Sequence, residues 1–232
     1  MELNGYDEDR LALGRLLRDE HRYAIGLDLG KSGDPSALAI VEEVQRTYEG
    51  RDRVTGSRRT SRELNCRFLK RWNLGTPYYA VADDVIEMER RPPLLSRARL
   101  LVDATGVGRA VLEILRERGL RCGMTAVTVH GGAQVTGGDA EAGVPKRDLV
   151  AGLVVSLESG ILHIAPALPE AAQLRKELVG FRQKVTGKGN ASYEAMSEAV
   201  HDDLVNALGL AVWWLRPPAP CGHQGGALCT GG

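Results

Sequence analysis

Cysteine is scarce and unpatterned in this chain. Cys66, Cys122, Cys221 and Cys229 have no short paired spacing, which argues against a disulfide framework and for reduced thiols in a cytosolic compartment. The trio Cys221, His223 and Cys229 near the end is too loosely spaced to read as a zinc site. No run of eighteen apolar residues occurs and no signal-peptide pattern opens the chain, so a soluble protein, neither secreted nor membrane-bound, is expected. An excess of one charge is missing too: 30 Lys and Arg face 30 Asp and Glu. That balance excludes a uniformly basic coat for nucleic acid, yet leaves room for basic strips around an acidic centre. What the chain does have is length, its 232 residues being enough to bury a real core in one large domain.

The organising stretch is Tyr23 to Ser36, YAIGLDLGKSGDPS. A short apolar run ends in Asp28, small residues and glycines follow, and Ala37 to Val41 resumes the apolar pattern. Strand, tight turn and antiparallel strand is the natural reading. It sets Asp28 among apolar neighbours, where an ionised carboxylate is expensive unless positive charge meets it.

The rest of the chain reads as alternating elements. Residues 1–22 carry Leu11, Leu13, Leu16 and Leu17, enough for a short amphipathic helix. Arg46 to Arg62 is dominated by arginine and reads as an exposed loop or hairpin tip, either a plain solvated face or a phosphate contact through residues such as Arg58 and Arg59. A third strand is expected over 64–73. A helix is expected from Thr76–Pro77 to about Arg90, with the threonine as cap and Pro92–Pro93 as stop. Arg99 to Asp103 reads as a fourth strand, Ala110 to Arg118 as a helix closed by Gly119, and Ala126 to Val129 as a fifth strand. Together these make β-β-β-α-β-α-β, a mixed α/β sheet covered by helices. Gly131 to Gly143 reads as a loop, Pro145 to Gly160 as a helix, 161–164 as a brief strand and 169–181 as a further helix. A polar hairpin at 184–193 then precedes a last helix from about Asp202 to Leu215.

Acidic residues stand at three of the junctions: Asp28, Asp103 and the Asp202–Asp203 pair. On a period of 3.6, Asp203 shares a stripe with Ala207, Leu210, Ala211 and Trp214, while Asp202 falls with Asn206, Gly209 and Trp213. Small residues at 207 and 211 let that helix approach the sheet. Helix capping alone would account for one of the pair, but not for an acid on the packing stripe. Such a cluster can hold two divalent cations about 4 Å apart, one activating a water and one stabilising a leaving oxygen. Carboxylate donors favour Mg²⁺ or Mn²⁺ over zinc.

The order GLDLG, VDATGVG and HDDLVNALGLA, with VPKRDLVAGLVVSLESGILHIA between the second and third, resembles the nuclease domain of bacteriophage large terminase subunits, in the ribonuclease H-like superfamily. The resemblance spans Tyr23 to Trp214. It implies a ribonuclease H-like mixed five-stranded sheet flanked by helices, with a helix-hairpin insertion before the last helix. Residues 1–20 would be an extension or linker remnant, 21–216 the nuclease domain and 217–232 a flexible tail. The implied activity is metal-dependent endonucleolytic cutting of concatemeric viral DNA during genome packaging. Asp28, Asp103 and Asp203 would be the ligands of two Mg²⁺ or Mn²⁺ ions, with Asp202 as a fourth. Lys146, Lys184, Lys188 and His201 would face DNA. Double-stranded DNA, a terminase ATPase domain, the small terminase subunit and the portal are the implied partners, in the cytoplasm of a bacterial host. The chain departs from a full terminase in having no G-x-x-x-x-G-K-[ST] loop, so translocation is not expected of it. Two alternatives stay open: a Holliday-junction resolvase of the same superfamily, and an actin-like or sugar-kinase ATP-binding domain, whose Asp and glycine turns GLDLGKSGDPS and DATGVG imitate.

Overall fold

The computed structural model describes residues 14–30, 33–106, 108–186 and 202–217. Eight strands share one sheet: β1 (Leu16–Asp28), β2 (Ala37–Arg51), β3 (Arg58–Arg71), β4 (Ala98–Asp103), β5 (Gly123–His130), β6 (Thr136–Gly137), β7 (Glu141–Pro145) and β8 (Leu162–Ile164). Their order across the sheet is β6-β7-β5-β4-β1-β2-β3-β8. β1, β2 and β3 form an antiparallel meander, while β4, β5 and β7 run parallel to β1. The five central strands, in the order β3-β2-β1-β4-β5, make the expected mixed sheet flanked by helices. Three more widen it: β8 beside β3, and the β6–β7 pair beside β5. Glycines in 136–145 hid the latter two, because glycine carries no strand preference.

Helices cover both faces. α1 (Tyr78–Glu89) and α2 (Gly108–Glu117) lie on one side, where Val81, Val85, Val111 and Leu115 pack against Ile25, Leu27, Leu100 and Val102. α3 (Lys146–Glu158), α4 (Ala171–Thr186) and α5 (Asp203–Leu215) lie on the other, over Ala24, Ala39, Val41 and Leu101. The alternation of side chains along β1 and β4 divides these residues between the two cores. Cys66 and Cys122 are buried and unpaired, and Cys221 and Cys229 lie outside the described residues. Among the described residues, no helix is long and apolar enough to cross a membrane.

Several boundaries differ from the sequence expectation. Leu16 and Leu17 belong to β1 rather than to an amphipathic helix, and β1 pairs with β2 back to Tyr48. The arginine-rich stretch is mostly ladder: β2 and β3 stay paired through Thr47–Thr60 and again at Arg51–Arg58, leaving only a short turn around Asp52. Opposite charges facing each other across the strands stabilise so polar a hairpin, with Arg46 2.9 Å from Glu63 and Arg62 2.6 Å from Glu43. At α1 the cap position is Pro77, and Thr76 Oγ1 donates instead to the Asn73 carbonyl at 2.7 Å.

Candidate metal centre

Asp28 is the last residue of β1 and Asp103 the last of β4. Parallel pairing of Leu27 with Val102 sets the two acids side by side at one end of the sheet. By alternation they share the face of Ala24 and Leu101, the one that α5 covers. α5 comes unusually close to that face. A Cβ built at Gly26 would stand 1.9 Å from the carbonyl oxygen of Ala207, so backbone meets backbone and the head of the helix lies over Asp28.

Asn206 completes the join. Its Nδ2 donates to Asp28 Oδ2 at 3.1 Å and to Asp202 Oδ1 at 3.2 Å, tying strand end to helix head through one amide. Burial pushes the Asp28 carboxyl well above the ordinary carboxylate range, and Asp103 adds to the rise. The Asn206 hydrogen bond opposes it, while Asp203 and Asp202 push further upward. Three acids therefore act electrostatically on the fourth, Asp28.

Each of the other acids is held by its own partner. Asp103 Oδ1 accepts the Thr105 amide at 2.8 Å, and Thr105 Oγ1 accepts the Val129 amide at 3.1 Å, which pins the turn after β4 to β5. Asp203, only 6 % exposed, accepts Arg71 Nη2 at 3.3 Å. The first-turn amides of α5 are met by Glu177 of α4, whose Oε2 accepts Leu204 N–H at 3.0 Å and Val205 N–H at 3.3 Å. Among the described residues, the cap position Asp202 makes no side-chain cap bond. Burial pushes the Glu177 carboxyl up and Asp203 adds to it; hydrogen bonds from Gln173 and Val205 and the Arg71 charge hold it back. The amphipathic stripe expected on α5 is absent as well. The helix is buried nearly all round, Trp213 included, and Trp214 is one of its few partly exposed residues.

Among the described residues, no three Asp, Glu, His or Cys side chains close on a common point as a finished metal cage. The Arg71 contact on Asp203 and the Thr105 amide on Asp103 hold two of the carboxylates in other engagements. The donor set still fits a hard divalent ion: its candidate ligands are carboxylates, and the repulsion that raises Asp28 is what added positive charge would relieve.

The candidate DNA contacts separate. Lys146, partly exposed, opens α3 directly after Pro145, which pairs with His130 at the carboxyl ends of the parallel strands. It thus stands at the same end of the sheet as Asp28 and Asp103. Arg58 and Arg59 do not. They begin β3, whose 14 residues run from the hairpin tip to Arg71 at the acidic end, a distance on the order of 40 Å. Reading 46–62 as a loop had shortened the strand and hidden this separation. Lys188 and His201 lie outside the described residues, as does the Lys184 side chain. Sequence reasoning also passed over Gly26, Arg71, Glu177 and Asn206. Only Asn206 carried a local signal, standing four residues after Asp202 and so on the same helical face.

No family model matches the chain. Over 194 residues it is 27 % identical to the large terminase subunit of Thermus phage G20c, and equally to that of Thermus virus P23-45. The match covers 84 % of this chain and 32 % of each relative, so the chain spans about a third of the length of the curated relatives it matches. Among solved structures, the large terminase nuclease of thermophilic phage G20c with bound zinc aligns with a TM-score of 0.45 and 21 % identity, covering 83 % of this chain and 80 % of that one. T. thermophilus RuvC in complex with a Holliday junction substrate aligns with a TM-score of 0.23 and 13 % identity, over 83 % of this chain and 92 % of that one. The similarity to large terminase subunits seen in three short motifs therefore extends over most of the chain.

Proposed function

We propose that this chain is a divalent-metal-dependent DNA endonuclease of the large-terminase type, hydrolysing phosphodiester bonds of double-stranded DNA. The observation that carries the reading is the convergence of Asp28 and Asp103, on neighbouring parallel strand ends, with Asp202 and Asp203 at the head of α5. In this reading Asp28, Asp103 and Asp203 hold two ions and Asp202 stands at the margin. Mg²⁺ or Mn²⁺ suits hard oxygen donors. Bound there, such ions supply positive charge beside the scissile phosphate and favour ionisation of the attacking water.

The chain's own residues provide position. Asn206 orients Asp28 and Asp202 through its two hydrogen bonds. The Thr105 amide holds Asp103, and Glu177 anchors the turn that carries Asp203. Lys146 offers a phosphate contact at the same sheet end; Lys184, Lys188 and His201 join it as candidates. The similarity to large terminase subunits extends the proposal to cutting of concatemeric viral DNA during packaging, in the host cytoplasm, alongside an ATPase domain, a small subunit and a portal.

The test is a plasmid digest with EDTA, then with Mn²⁺ restored. Asp28→Asn, Asp103→Asn and Asp203→Asn are each expected to lower nicking on the order of a thousandfold with an unchanged circular dichroism spectrum. Asp202→Asn should cost less. Full activity in the Asp28 and Asp103 variants rejects the assignment. Side-by-side digestion of linear, supercoiled and four-way-junction DNA separates it from a resolvase, which would prefer the junction.

A further inference from the structure

Arg71 ends β3 and pairs with Ala37, which in turn pairs with Asp28. The three residues form one row across the sheet, so their side chains share a face, and the Cα atoms of Asp28 and Arg71 are about 10 Å apart. Ala37 is fully buried and small, leaving the space above the row to the head of α5. Into that space Arg71 sends its guanidinium, 3.3 Å from Asp203.

The contact differs from the arginine pairs that fasten this fold. Arg62 grips Glu43 at 2.6 Å and the Leu215 carbonyl at 2.7 Å, and Arg22 holds the same two groups from the other side. Each of those arginines makes two bonds, at least one of them short (Arg22 to Glu43 at 2.5 Å, with its Leu215 contact at 3.3 Å), and together they close the carboxyl end of α5 onto the sheet. Arg71 instead touches Asp203 with one nitrogen, beyond the roughly 2.7–2.9 Å of a strong charge-assisted bond. Its Nε is shielded from solvent and has no hydrogen-bond partner among the described residues. Among the described residues that contact is the one hydrogen bond of a group with five donors, whose charge also acts on Glu177, so the guanidinium is weakly committed to Asp203.

The geometry points to Arg71 as a positioning residue: it neutralises Asp203 and draws that carboxylate away from Asp28 until a divalent cation takes its place. The inference rests on the metal-dependent reading above. It accounts for acids that converge without closing on a common point, since one prospective ligand is engaged elsewhere. Arginine and cation then compete for one carboxylate, so each weakens the other's hold to the same degree, and loosening the arginine strengthens cation binding.

The experiment titrates Mn²⁺ calorimetrically into the full chain, Arg71→Gln and Arg71→Lys, and follows thermal unfolding of each in EDTA and in saturating Mn²⁺. Arg71→Gln, which keeps a hydrogen-bond donor but no charge, is expected to bind Mn²⁺ on the order of tenfold more tightly. Its melting temperature should fall below the native value in EDTA and recover in Mn²⁺. Arg71→Lys keeps the charge and should retain native Mn²⁺ affinity to within about twofold. Unchanged Mn²⁺ affinity in Arg71→Gln, with the same loss of melting temperature in both buffers, would show a merely structural arginine and overturn the inference while leaving the metal-dependent reading intact. A native chain that binds no Mn²⁺ overturns both.

Discussion

Asp28 is buried among like charges at the head of α5. Its carboxyl is raised first by burial, then by Asp103, with Asn206 opposing and Asp203 and Asp202 adding. A group whose folded pKa lies above its unfolded value contributes stability while it is protonated, and that contribution is lost as pH rises through the raised value. In EDTA, the melting temperature attributable to Asp28 should therefore fall as pH climbs from the ordinary carboxylate range toward neutrality. Saturating Mn²⁺ should flatten or reverse that slope, because the cation favours the ionised form. Scanning fluorimetry across about pH 4 to 8 in the two buffers checks it; parallel curves would count against a cation beside Asp28. Asp28, Asp103 and Asp203 were all legible as candidates, each standing at an element's end beside small residues. Arg71 and Glu177 were not, because nothing near either in the chain marks an arginine or glutamate as facing a distant carboxylate or helix end.

At the scale of elements, the decisive contact is between α5 and β1. Gly26 has no Cβ to meet the Ala207 carbonyl, which would lie 1.9 Å away. Gly26→Ala should destabilise the fold by about 3 kcal/mol, read as a lower urea midpoint at unchanged slope. The same substitution lifts the head of α5 from Asp28 and should reduce Mn²⁺-dependent nicking more than the stability loss explains. Wild-type stability in this variant would mean the helix can shift without penalty. The small residues at 207 and 211 announced a close helix in the sequence, but their strand partner was hidden inside an ordinary apolar run. α5 itself is apolar enough to be buried almost entirely, so its periodicity could not say which side faces the sheet.

For the whole molecule, charge is divided between the two ends of the sheet. The acidic centre and Lys146 lie at one end, and the arginine hairpin with Arg58 and Arg59 at the other. Lys146→Ala should weaken DNA binding and reduce the salt slope by about one. Arg58→Ala with Arg59→Ala should leave plasmid nicking within about twofold at physiological salt, because the pair lies on the order of 40 Å from the cleavage point, several Debye lengths of about 8 Å each. Binding isotherms over a salt series and nicking rates decide between them; a collapse of nicking in the arginine double variant would mean that DNA runs the length of the sheet.

What the sequence determined by itself was the order of the central strands and the covering helices from β1 to β5, and the three places where acids interrupt apolar runs, since both follow from local periodicity and turn chemistry. Only the tertiary structure decided which of those acids meet, that the sheet has eight strands, and that the arginine hairpin points away from them. Those outcomes depend on strand register and on one glycine under a helix, contacts between residues as far apart as Gly26 and Ala207. A pattern read over a few neighbouring positions carries no record of such pairings.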